Sequence, residues 1–344
     1  MRDAFCRALM KAAAEDPKLT LITGDLGFGV LKPFWETYPD QFINAGIAEQ
    51  SMASMAAGLA MTGRTVLTYS IGNFPTLRCL EQIRNDCAYH GLNVKVVCVG
   101  GGFVYGSLGV SHHATEDMAI LRALPGVTVF TPGDPAEVEA VVPVMLRTPG
   151  TCYLRLGRGG EPTVHDTPVT DWQIPRALTL RQGSDVALLS AGGILTQTWE
   201  AAELLARKGV SAEVVSFPCL KPIDTEKIAD LCHRFAHLVT VEEHTVIGGL
   251  AAPSVRRRRS WAPPAGSTAS ACRTPTPWRW AISSTCAGAT AWTRRASAAR
   301  PWPGWERKRR RSMPDAGGEG TLPGEHTRGA AGTAAGYHGG VQAA

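Results

Sequence analysis

The chain has 344 residues, a formal net charge of +5, 44% hydrophobic and 19% charged residues. That balance excludes wholesale disorder, a collagen repeat and a coiled coil, and the length leaves room for about two domains. The average conceals a division. Residues 1–250 hold 20 Lys and Arg against 26 Asp and Glu, a net of −6, whereas residues 251–344 hold 15 against 4, a net of +11. The later stretch has only Val255, Ile282, Leu322 and Val341 among Ile, Leu and Val, and no Phe. So few apolar side chains cannot bury a core. No apolar run is long enough to span a bilayer, and no signal-peptide pattern opens the chain. Nine scattered Cys without a CxxC pair predict reduced thiols in a cytoplasmic protein.

Taken in chain order, the pattern predicts a helix over Asp3–Ala14 and a buried strand at Leu19–Thr23. A short strand Phe42–Ala45 and a small-residue helix over Gly46–Met61 follow. Strands are then predicted at Thr65–Ser70, Val94–Val99, Val127–Thr131 and Thr151–Leu156, with helices at Ala114–Leu124 and Pro135–Leu146. Continuous apolar strands separated by helices argue for a parallel sheet covered on both faces. Pro, Thr and Gly enrich residues 161–177, which read as a linker. A second α/β unit over 178–250 runs strand Asp185–Ser190, helix Thr196–Lys208, strand Ala212–Phe217, helix Thr225–Phe235 and strand His237–Val241. It stops before another crossover. The expected class is therefore α/β: two doubly wound parallel-sheet domains, 1–160 and 178–250, the second truncated, with a basic low-complexity tail at 251–344.

The densest chemical signal is Gly46-Ile47-Ala48-Glu49-Gln50. Glu49 reads either as a first-turn acid that suits the helix dipole or as a buried carboxyl among Ala, Ile, Met and Gly that shares a proton. Further ordered motifs are Ala56-Ala57-Gly58-Leu59-Ala60, Leu77 to Asn85 (LRCLEQIRN), Ser111-His112-His113-Ala114-Thr115-Glu116-Asp117, Leu121 to Pro125, Pro132-Gly133-Asp134 and Val241-Glu242-Glu243-His244. Together, over about residues 1–250, they resemble the C-terminal half of transketolase, and above all the separate C-terminal subunit of split bacterial transketolases.

The resemblance implies thiamine diphosphate as cofactor. Glu49 would contact N1′ of its aminopyrimidine, and the cofactor would act as electron sink when a ketose carbon–carbon bond breaks. Phe74 aligns with the family's pyrimidine-stacking aromatic, and Ile47 would pack on the same ring; core packing is the other reading of each. His112, with His113 beside it, aligns with a His that faces the substrate. Arg158 aligns with an Arg that binds substrate phosphate, for which its fixed fork is suited, or is a solvated loop charge. Gly100 and Leu108 stand where the family usually carries a His and an Asp. A pocket lacking both predicts substrates outside the usual pentose phosphates. No Gly-Asp-Gly motif occurs, so Mg2+ and the diphosphate are expected on a partner N-terminal subunit, within a heterotetramer. A deoxyxylulose phosphate synthase-like enzyme and a 2-oxoacid dehydrogenase β-subunit are the neighbouring alternatives.

The tail has three readings. Arg256–Arg259 and Arg307–Arg311 suit electrostatic binding of nucleic acid, or the stretch is a solvated disordered arm. The third is a frameshift. Trp has the single codon TGG, and in GC-rich text a lost base turns Leu codons followed by Gly, Ala or Asp codons into Trp. Restoring one G after Gly248-Gly249-Leu250 yields text similar to the family's C-terminal end.

Overall fold

The computed structural model describes residues 1–251; the expectations for the tail lie outside the described residues. The helix α1, Arg2–Glu15, buries Ala4, Phe5, Leu9 and Ala13. Strand β1, Leu19–Thr23, is buried throughout. A short helix α2, Lys32–Thr37, carries Pro33 in its first turn and leads to β2, Phe42–Asn44. Helix α3, Glu49–Met61, precedes β3, Thr65–Ile71. A turn of helix α4, Leu80–Gln82, continues as a π-helical turn at Ile83–Ala88. Then follow β4, Val94–Val99, α5, Asp117–Ala123, and β5, Val127–Phe130. Helix α6, Pro135–Arg147, and β6, Thr151–Leu156, complete the first unit.

The second unit comprises β7, Leu178–Arg181, β8, Val186–Ala191, α7, Leu195–Ala206, and β9, Ala212–Ser216. It continues with β10, Cys219–Lys221, α8, Thr225–Arg234, and β11, Leu238–Glu242. Each predicted strand and helix has a counterpart; Leu19–Thr23, Val94–Val99 and Thr151–Leu156 keep their bounds and the others shift at their ends. Helix α3 starts at Glu49 rather than Gly46, because Gly46 sits at φ +71° and Ala48 is not helical. Helix α5 starts at Asp117 rather than Ala114, because Ala114 is held in a backbone bridge to Gly102.

The sheets run β10-β5-β6-β4-β3-β1-β2 and β11-β8-β9-β7. The sheets are mostly parallel, as expected, and each gains one antiparallel edge strand. β10 pairs antiparallel with β5, and β7 pairs antiparallel with β9. Both are edge strands of only four and three residues, too short for a pattern to mark them in sequence, and edge strands often reverse on an otherwise parallel sheet. The β10 pairing also means that the chain returns from the second unit to extend the first sheet. β11 has only β8 as a strand neighbour among the described residues.

Strand β1 lies between β2 and β3, so the chain reverses its direction of travel across the sheet there. In open α/β sheets such a switch point, at the carboxyl ends of the strands, leaves a crevice between diverging connections. On one face, a continuous apolar core joins α3 and α5 residues Met52, Ala56 and Met118 to Leu189, Phe217 and Leu231 of the second unit. On the other face, α1 and α6 pack with Trp172 of the intervening segment. Two buried faces hold the strand ends rigidly against each other.

Candidate active site

The site is assembled at the carboxyl ends of β1 to β4. After β1, Asp25 takes φ 55°, and its amide donates to Asn44 Oδ1 at 3.0 Å while Asn44 Nδ2 donates to Asp25 Oδ1 at 3.0 Å. Gly46 N donates to the same Asn44 oxygen at 3.0 Å. These bonds shape the turn that delivers Glu49 to the start of α3. A Cβ at Gly24 would lie 3.3 Å from Gly46 O and 3.6 Å from Glu49 Cγ, so the turn packs close on a bare backbone.

Glu49 is buried, 4% exposed. Arg78 Nη1 donates to both its carboxylate oxygens at 3.0 Å. Arg78 Cζ in turn stands 4.3 Å from the Phe74 ring centroid, a cation–π contact. Phe74 meets the His112 ring edge-on at 5.0 Å. Thus Glu49, Arg78, Phe74 and His112 form one connected row. His112 Nδ1 lies 3.0 Å from Ser111 Oγ, and Asn73 Nδ2 donates to Ser111 O at 2.9 Å, tying the His112 loop to the end of β3. Gly72, at φ +50°, is required at that joint: a Cβ there would lie 2.6 Å from His112 O. Cys79, beside Arg78, is buried; burial first, then the Glu49 charge, pushes its thiol up to about 12. It therefore stays neutral and is not a nucleophile at ordinary pH.

The expected residues are placed unequally. Glu49, Phe74 and His112 come together. Phe74 is half-buried rather than a core residue. Ile47 is 77% exposed beside Glu49, so the core-packing alternative does not hold for it. His113 turns away to Phe103, ring to ring at 4.8 Å. Arg158 is exposed and stands 5.5 Å over the Tyr105 ring rather than in the Glu49 row. Arg78 and Tyr105 were not singled out from sequence. Arg78 lay inside a motif, and an Arg four residues after Phe74 in a strand-end loop was the available signal. For Tyr105 the signal was an aromatic residue in the same loop as Gly100.

The row is an open rim. A cavity of about 190 Å³ lies elsewhere, at the seam with the second unit, lined by Gly101, Arg155, Glu161, Gln197 and Glu243 among others, and by none of the row residues. Among the described residues one group is arranged to hold a metal ion: Asp134, Glu137 and His165. It lies after β5, several strands away from β2 and Glu49. No described helix is long and apolar enough to cross a membrane.

Comparison with known proteins covers both units. The transketolase pyrimidine-binding domain family matches residues 1–161, and the transketolase C-terminal domain family matches residues 176–256. The chain is 34% identical over 252 residues to an apulose-4-phosphate transketolase subunit of Phocaeicola vulgatus, covering 73% of this chain and 81% of that one. It is 35% identical over 252 residues to the 6-deoxy-6-sulfo-D-fructose transketolase subunit SqwH of a Clostridium species, covering 73% and 78%. A solved split-gene transketolase, described as an inactive β4 tetramer, superposes with a TM-score of 0.70 at 35% identity, covering 76% of this chain and 84% of the other. With these matches over both units, the chain belongs to the transketolase family.

Proposed function

We propose that this chain is the pyrimidine-binding half of a heteromeric thiamine diphosphate-dependent enzyme that transfers a ketol unit between sugars or sugar-like substrates. The observation that carries the reading is a buried carboxylate, Glu49, opening onto a rim with an aromatic ring and a histidine in line. The donor set fits an aminopyrimidine. Among the described residues the hydrogen-bond partner of the Glu49 carboxylate is Arg78, whose side chain is half exposed. The turn before it is bare backbone at Gly24 and Gly46.

In this reading Glu49 holds N1′ of the pyrimidine, with Phe74 and Ile47 against the ring. Bound there, the cofactor supplies a carbon nucleophile and an electron sink for breaking the bond beside a ketose carbonyl. Glu49 keeps a proton at N1′, and its burial excludes water from that hydrogen bond. His112 orients substrate hydroxyls, and Arg158 takes an anionic group of the substrate.

The chain has no Gly-Asp-Gly motif, and its one metal-capable cluster among the described residues is remote from Glu49. The diphosphate and Mg2+ are therefore assigned to a partner N-terminal subunit, in a heterotetramer. Exposed apolar side chains at Phe28, Ile47, Leu77, Leu108 and Val110 lie on the segments that carry or flank the row. Such a patch suits a protein interface rather than water. The free thiols among the described cysteines suit a cytoplasmic enzyme.

The test is calorimetric titration of thiamine diphosphate with Mg2+ into this chain, into its partner and into their mixture. Saturable binding is expected in the mixture and weakened about tenfold or more by Glu49→Gln, the loss of one charge-assisted hydrogen bond. Tight binding to this chain alone, or an unaltered affinity with Glu49→Gln, overturns the reading.

A further inference from the structure

One side chain makes both of the contacts that an aminopyrimidine would need at this rim. Arg78 Nη1 spans the two Glu49 oxygens at 3.0 Å each. The same guanidinium lies over the Phe74 ring, with Cζ 4.3 Å from its centroid. A guanidinium is flat and delocalised around an N–C–N unit. It binds a carboxylate through its edge and an aromatic ring through its face. An aminopyrimidine is also flat, carries an N–C–N edge and stacks through its face. Glu49 and Phe74 therefore form one slot, with a carboxylate for the edge and a ring for the face, and Arg78 fills it.

The two ends of Arg78 are held unequally. Its backbone is pinned: Arg78 N donates to Asn73 O at 3.3 Å, Cys79 N to Thr76 O at 3.3 Å, and Cys79 Sγ to Phe74 O at 3.5 Å. Thr76 Oγ1 donates to Gly72 O at 3.3 Å, which ties this turn to the end of β3. The guanidinium has less to hold it. Among the described residues its hydrogen-bond partner is the Glu49 carboxylate, and 46% of the Arg78 side chain is exposed against 4% for Glu49.

That asymmetry decides which member of the pair can leave. A half-exposed arginine that turns to water loses little, because ion pairs at exposed positions are weak. The Glu49 carboxylate cannot follow it, and a buried charge without a partner is strongly destabilising. Glu49 is the first residue of α3, whose N-terminus has no side-chain cap, so only the helix dipole would then face it. The site is thus stable with Arg78 in the slot, or with another flat group there in its place.

We infer that Arg78 is a stand-in for the aminopyrimidine, partnering Glu49 and covering Phe74 in the unloaded enzyme and yielding both when the cofactor binds. The inference rests on the ketol-transfer reading above and deepens it. Arg78 is then a positioning residue that keeps the Glu49 carboxylate aimed along the rim before binding. It is also a competitor, since the contact it gives up lowers the apparent affinity for the pyrimidine.

The experiment uses the complex of this chain with its partner subunit, as wild type, Arg78→Met, Arg78→Lys and Glu49→Gln. Calorimetry titrates thiamine diphosphate with Mg2+ and, in parallel, inorganic pyrophosphate with Mg2+, which carries no pyrimidine. Arg78→Met is expected to bind thiamine diphosphate about tenfold more tightly than the wild type, with pyrophosphate affinity unchanged to within about twofold. Arg78→Lys keeps a charge for Glu49 but loses the flat edge and face. It falls between, so the test survives if the methionine variant fails to fold. Thermal melts give a second readout. Without cofactor, the Arg78→Met complex should melt below the wild type. With saturating cofactor the two should converge, because the contact is then absent from both. Weaker or unchanged affinity in both Arg78 variants, a gain shared equally by pyrophosphate, or a melting deficit that cofactor does not narrow overturns the inference and makes Arg78 a permanent partner of Glu49. Glu49→Gln separates this from the parent reading. If the wild-type complex binds no thiamine diphosphate, or Glu49→Gln binds it undiminished, both fall. If Glu49→Gln weakens binding while neither Arg78 variant tightens it, only this inference falls.

Discussion

Arg155 donates from Nε to Asp117 Oδ2 at 2.8 Å, with both side chains buried to within 3%. The same guanidinium donates from Nη2 to Ala114 O at 2.9 Å and to Glu243 O at 2.8 Å. One side chain on β6 therefore holds the loop bearing His112 and the end of β11 in the second unit. Tyr153 Oη adds a 2.5 Å hydrogen bond to the same Asp117 oxygen. His244 completes the contact from the second unit by accepting from Ala119 N at 3.2 Å.

Arg155→Met should be among the most damaging substitutions outside the row. It leaves Asp117 as a buried charge without its counter-ion, which typically costs about 3–5 kcal/mol. Adding Asp117→Asn should recover a large part of the loss, because the uncompensated charge rather than the lost packing dominates. Urea melts of the single and double variants check this. A double variant no more stable than Arg155→Met would show that the charge is not the issue.

Gly72→Ala should separate activity from stability. Its φ of +50° costs an alanine about 1 kcal/mol, and the new Cβ must push the His112 carbonyl from 2.6 Å. The displaced group carries the histidine of the row, so ketol transfer by the complex should fall at least about tenfold, since small misplacements cost catalysis steeply. Thermal melting together with steady-state kinetics reads both effects. A variant that loses stability but keeps full kcat/KM would remove His112 from the substrate side.

Stability should decline as pH rises through neutrality, because of the cluster at the start of α6. Asp134 caps the helix, accepting from Glu137 N at 2.9 Å, and also accepts from Val164 N and His165 N. His165 Nδ1 lies 3.0 Å from Asp134 Oδ2, and its Nε2 lies 3.7 Å from Glu137 Oε1, which has no hydrogen-bond partner. Glu137 Oε2 accepts from Gly133 N and from Ser216 Oγ of the second unit. Burial disfavours the His165 imidazolium, but the hydrogen bond to Asp134 and the charges of Glu137, Asp134 and Asp166 outweigh it and raise its pKa above 6.5. Burial holds the Glu137 carboxyl at about 7, against its ordinary 4.5, with the Gly133 amide opposing.

Both groups thus bind protons more tightly when folded. The contribution of His165 is full below about 6.5 and is lost as pH rises through its higher folded value, and Glu137 loses its part between about 4.5 and 7. Asp134 works in the opposite sense. Burial favours its neutral form, but the bonds from His165 and the backbone outweigh this and lower its pKa below 3.8, so its contribution fades only in acid. Melting temperature from pH 6 to 9 should fall more steeply for the wild type than for His165→Gln. Parallel curves would refute the linkage, and a rise in melting temperature with Zn2+ that His165→Gln abolishes would assign the cluster to a metal instead.

Much of the fold was legible because the buried strands are mostly apolar runs, such as Val94–Val99 and Thr151–Leu156, and every residue of both is buried. The edge strands β7 and β10 were not legible. Leu178–Arg181 has four residues and Cys219–Lys221 three, so neither is long enough for its pattern to stand out from the sequence. The site was legible where chemistry sits in one motif. Glu49 follows directly from Gly46-Ile47-Ala48, but nothing local pairs it with Arg78, 29 positions away.

By itself, the sequence determined an acidic body of two α/β units and the charge break near Leu250, and its resemblance to transketolase named Glu49, Phe74 and His112 as candidate positions. The body and the charge break depend on local composition and periodicity, which the linear order preserves, whereas the three positions rest on that resemblance. Only the tertiary structure decided that Arg78 forks Glu49, that Arg155 joins the two units, and that Tyr105 stands in the space over Gly100. Those relationships are contacts between strand ends that the sheet order brings side by side, and sheet order is set by packing of both faces rather than by neighbours along the chain.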